Sequence, residues 1–159
     1  MVTSFQPKTT LVCSSQIVHK SSTLHPQARF VTAKAVFVMF RIGFENIYSV
    51  EFWRYVVYVH GKGLRKFVSY AYFPPIIRVG SPTSPDCTKW RKRWTKHHSY
   101  TERKHAPYWW AEFWTLQLSE ATSDCILQNW WQLITFINFA FSEEKLEQLH
   151  SSYRQLEMM

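Results

Sequence analysis

The chain is short of the parts that catalytic and cofactor chemistry needs. It has 4 glycines and 3 cysteines in 159 residues, and no GxSxG, HExxH, P-loop or GxGxxG pattern. Gly61-Lys62-Gly63 is too short to cradle a phosphate and lacks a helix signal after it. With so few glycines, tight loops that need positive φ must be made some other way. Cys13, Cys87 and Cys125 are odd in number, and none sits in a CxxC pair. That argues against the disulfide framework of a small secreted domain and for a reducing, intracellular location, in cytoplasm or nucleus. His97, His98 and His105 follow Cys87. Zinc needs close ligand pairs, and two adjacent histidines diverge on either a strand or a helix. Outside the C-terminal segment the carboxylates are Glu45, Glu51, Asp86 and Glu102, too few for paired acid–base work. The expectation is a non-enzyme with no cofactor and no metal.

Acidic residues are also missing from the start of the chain, where the first is Glu45. Residues 1–30 are rich in Ser and Thr and carry Lys8, Lys20 and Arg29, a composition shared with organelle-targeting leaders. Pro7 and Pro26 interrupt any amphipathic helix there. Ser14, Ser15 and Gln16 break the only apolar run, so no secretory core is present. Residues 1–30 therefore read as a disordered tail, with organelle targeting as the alternative.

Aromatic rings and positive charge are what the chain has in quantity. It contains 12 Phe, 8 Tyr and 8 Trp, each ring a large apolar surface to bury. The formal charge of +8 is unevenly spread: residues 1–110 hold 17 Lys/Arg against 4 Asp/Glu, and residues 111–159 hold 2 against 7. A basic body of this kind is drawn to polyanions. The same composition, rich in Trp and poor in Gly, also fits an orphan, lineage-specific reading frame with no settled molecular function.

The patterns predict an α+β fold: a β-hairpin or meander over about 35–73, then two or three helices over about 107–157. Val36 to Phe40 is a short, partly β-branched apolar run, read as a strand. Ile47–His60 and Leu64–Phe73 flank the two glycines as hairpin arms. In the first arm Trp53, Tyr55, Val57 and Val59 share one face by alternation. Pro74-Pro75 ends the second arm. The proline-containing stretch at 80–88 reads as a polar linker inside a single domain spanning 31–159. Pro107 suits the first turn of a helix, and Ser123 (or Thr122) and Ser142 suit the N-caps of the two that follow.

Three segments carry candidate function. The first is basic and aromatic, residues 89–105. Lys89, Arg91, Lys92, Arg93, Lys96, Arg103 and Lys104 match the phosphates of RNA or DNA, and Trp90, Trp94 and Tyr100 match its bases. The competing readings of this segment are a nuclear-import signal, docking on anionic lipid, and a solvated charged face with Trp90 and Trp94 in the core. The second is the uncharged stretch 125–141. It would serve a membrane-associated protein, although Gln128, Asn129, Gln132 and Asn138 are costly in hydrocarbon, and a core helix fits better. The third is the stripe Leu146, Leu149, Tyr153 and Leu156, spaced three, four and three. It either covers the protein's own core or docks on a helical protein partner. The leading expectation is a small accessory protein that contacts a polyanion through residues 89–105.

Overall fold

A computed structural model describes residues 17–97 and 105–158, with the backbone alone at Lys96 and His97. The chain divides into two compact units, the first ending at Pro74 and the second beginning at Pro75. Among the described residues the sheet lies in the first unit, and helices make up most of the second, so the α+β class holds.

In the first unit, β1 (Ile17–His19), β2 (Ile47–Phe52), β3 (Val56–Gly61) and β4 (Leu64–Ser69) form a four-stranded sheet in that order. The last three are an antiparallel meander, and β1 pairs parallel to β2. Val50 faces Val59, and Val57 faces both Phe52 and Val68. All five are buried, so one side of the pleat is apolar and fixes the register. Lys62 and Gly63 alone connect β3 to β4, with Gly63 at φ 70°. Gly61 is needed for space: a Cβ there would stand 2.6 Å from the Asn46 carbonyl oxygen.

Three details depart from the sequence-based expectation. The run Val36 to Phe40 lies in a helix, α1 (Ala33–Phe40), not a strand. Thr32 caps it, its Oγ1 accepting from the Ala35 amide at 3.0 Å, and Arg41 closes it in the left-handed region. A good cap and a buried apolar face outweigh the β preference of Val and Phe. Second, the arm 47–60 is broken. The Trp53 amide donates to the Val56 carbonyl at 3.0 Å, a tight turn that separates β2 from β3. Trp53 and Tyr55 are therefore exposed, while Val57 and Val59 are buried. Third, residues 17–30, expected in the tail, contain β1 and a 3-10 turn (Pro26–Phe30) with buried Gln27, Ala28 and Phe30. Residues 1–16 lie outside the described residues.

The second unit holds α2 (Ser84–His97), α3 (Trp109–Ser119), α4 (Asp124–Phe136) and α5 (Glu143–Glu157). Ser123 and Ser142 cap α4 and α5 as expected, accepting from the Ile126 and Lys145 amides. The stretch read as a polar linker is only partly one, because residues 84–88 are the first turns of α2.

Ring packing builds this unit's core. Trp114 meets Phe113 and Trp130 edge to face. Leu149 and Tyr153 are buried and Leu146 and Leu156 half-buried, and α5 packs on α3 and α4. The Leu/Tyr stripe thus closes the unit's own interior. The uncharged segment is split between α4 and a 3-10 turn at Asn138–Ala140. Leu127, Trp130 and Ile134 point inward, and Gln128, Asn129 and Gln132 are exposed. No helix among the described residues is long and apolar enough to cross a membrane.

Candidate polyanion interface

Residues 83–86 explain why the basic segment is helical. The Thr83 Oγ1 accepts from the Asp86 amide at 3.3 Å, and the Asp86 Oδ2 accepts from the Thr83 amide at 3.0 Å. This reciprocal capping box satisfies two amides at the start of α2. Pro85 lies in the first turn, where a missing N–H does no harm, and the Asp86 carboxylate suits the positive end of the helix. Thr88 and Thr95 hydroxyls donate back to the Ser84 and Arg91 carbonyls at 3.0 and 2.8 Å.

Helical spacing then sorts rings from charges. Asp86, Trp90 and Trp94 recur every four residues and are buried together. The Trp110 ring stands nearly perpendicular to both tryptophans, 5.7 Å from Trp90 and 5.2 Å from Trp94. The Trp94 indole N–H meets no acceptor among the described residues. Lys89, Arg91 and Lys92 are exposed and Arg93 is half-buried. The Arg91 guanidinium lies 4.0 Å from the Phe139 ring centroid, a cation–π contact that steadies it while leaving its edge open.

The sequence-based site is thereby divided. Its cations at 89, 91 and 92 lie on the solvent-facing arc of one helix. Trp90 and Trp94 do not join them: at 0% exposure neither can stack on a base. The side chain of Lys96, together with Tyr100, Arg103 and Lys104, lies outside the described residues.

No family model, no curated protein and no solved structure matches this chain.

Two further features bear on chemistry. Burial pushes the Cys87 thiol up, Arg91 opposing and Asp86 adding to the effect. A shallow depression of about 450 Å³ runs between α4 and α5, with Glu143, Glu147 and His150 on its wall. The His150 ring is stacked on Trp131 at 5.0 Å, and no group of three or more metal-ligating side chains is assembled among the described residues. Sequence reasoning missed the parts that hold the basic helix in place, Trp110 and Phe139. Neither leaves a local signal, because both meet α2 only through the fold. The capping box was visible in the sequence as Thr-x-x-Asp.

Proposed function

We propose that this chain is a non-enzymatic accessory protein that binds nucleic acid, RNA or DNA, through the outer face of α2. One observation carries the reading: the tryptophans of α2 are used inside the unit, so its outer face offers positive charge with small polar residues and no ring. A helix that inserts into lipid presents an apolar face to the acyl chains, and here that face is already covered. A phosphate backbone asks for cations alone. Contacts of this kind set position and affinity but carry no sequence information.

The test is binding of a labelled duplex as salt is varied. Affinity should fall steeply with salt, and Lys89/Arg91/Lys92→Ala should flatten the log–log slope by about 2 to 3, roughly 0.9 for each phosphate no longer neutralised. Absence of binding at low salt, or an unchanged slope in the variant, would remove this function.

A further inference from the structure

The first unit displays rings where the second hides them. Because Val50, Phe52, Val57, Val59 and Val68 face inward, strand alternation sends Glu51, Tyr58 and Phe67 to the other side. The register sets these three side by side across β2, β3 and β4. The Tyr58 and Phe67 centroids are 4.7 Å apart, and Trp53 meets Phe67 at 6.0 Å. Further along, Tyr48 meets His60 at 5.3 Å. Three of these rings are open to solvent, Phe67 at 61% exposed, Tyr48 at 52% and Trp53 at 38%, and Tyr58 and His60 are half-buried. A contiguous exposed apolar patch of this kind marks an interaction surface.

The charge around it is mainly positive, with Glu51 the carboxylate on the face itself. Arg54, Lys62 and Arg65 are exposed, and Arg65 lies opposite His60 in the register. Residues 17–74 hold eight Lys/Arg and two Glu. One of those two, Glu51, accepts a hydrogen bond from the Trp53 indole at 3.0 Å. Rings and arginine also suit protein-docking surfaces, although lysine is depleted there. A ring platform edged with Lys and Arg instead matches unpaired bases joined by phosphates, since the rings stack on the bases and the cations meet the backbone. Duplex bases already stack on one another and offer no such face.

We propose that the open face of this sheet binds single-stranded nucleic acid, with Phe67, Tyr58, Trp53 and Tyr48 stacking on successive bases. This site is separate from the α2 face, and neither needs the other.

The experiment uses the full chain with two labelled probes, a roughly 12-nucleotide oligo-dT, within the usual span of single-strand sites, and a hairpin duplex. Phe67→Ala should weaken oligo-dT binding about tenfold, the loss expected for one stacked base, and leave hairpin binding unchanged. Phe67→Tyr should retain wild-type affinity. Thermal melting of each variant reports on folding of the sheet unit, which hairpin binding through α2 does not. Equal oligo-dT affinity in wild type, Phe67→Ala and Tyr48→Ala would overturn the platform, even if Lys89/Arg91/Lys92→Ala lost the hairpin. Loss of oligo-dT binding on Phe67→Ala, with hairpin binding untouched by the α2 variant, would keep the platform and remove the α2 reading. A dimer in sedimentation that Phe67→Glu converts to monomer, with no preference for single strands, would assign the face to a second copy of the chain.

Discussion

In α2, tryptophans turn inward while lysines and arginines turn out; on the sheet, rings and cations share the open side. The two regions look alike in composition, and the difference comes from period. A spacing of four on a helix puts Trp90 and Trp94 on one side and leaves Arg91 and Lys92 on the other. A sheet whose inner face is filled by valines leaves every second residue outside, whatever its chemistry. Interleaved rings and charges in a sequence therefore do not by themselves make a stacking surface. On a covered helix they make a charged face without rings, and on a half-covered sheet they make a platform.

Substitutions can break or sharpen this contrast. The largest effect is expected inside the helical unit. Trp94→Ala should lower the stability of that unit by about 3–5 kcal/mol, the cost of emptying a packed aromatic site, read from denaturant unfolding. Thr83→Ala should cost about 1 kcal/mol through the lost cap and should raise hydrogen exchange at the first turn of α2 before that of α3.

In the sheet unit, the Tyr70 hydroxyl donates to the Trp53 carbonyl at 2.6 Å, so Tyr70→Phe should cost about 1 kcal/mol. Burial also pushes the Tyr70 phenol up to about 12, from an ordinary value of 10. The fold accommodates its neutral form. Its contribution is therefore intact below about pH 10 and declines as pH rises from there toward 12. A tyrosine absorbance titration should show late ionisation at Tyr70 and Tyr153, whose phenols are both pushed up, and the Tyr70 component should be absent from Tyr70→Phe. The smallest effect belongs to the ring that matters most for the sheet's proposed role: Phe67→Ala should change stability by no more than about 0.5 kcal/mol. A larger loss in thermal melting would mean that Phe67 is a core residue.

Much of the fold could be read in advance where local and global signals agree. Ser123 and Ser142 stand before amphipathic runs, and α4 and α5 begin there. The glycine pair marks the β3–β4 turn, and alternating valines mark the inner face. The signal failed where one local cue competed with another. Val36 to Phe40 is β-prone, but Thr32 caps a helix through it. Residues 80–88 are polar and contain proline, yet Thr83 and Asp86 start α2 within them. The ring platform was hidden by a single turn. Read as one unbroken strand, residues 47–60 place Trp53 and Tyr55 with Val57 and Val59. The break after Phe52 frees both rings from that alternation. The inward direction of Trp90 and Trp94 was legible from their spacing once the segment is known to be helical. Their partners Trp110 and Phe139 come from other elements and were not.

Hydroxyl-radical footprinting of the whole chain reads both regions at once. Tyr48, Tyr55 and Phe67 should oxidise quickly, while Trp90, Trp94 and Trp110 stay protected until the chain unfolds. Oxidation of Trp90 and Trp94 as fast as Phe67 would contradict the inward packing of α2, and the ring-free charged face built on it.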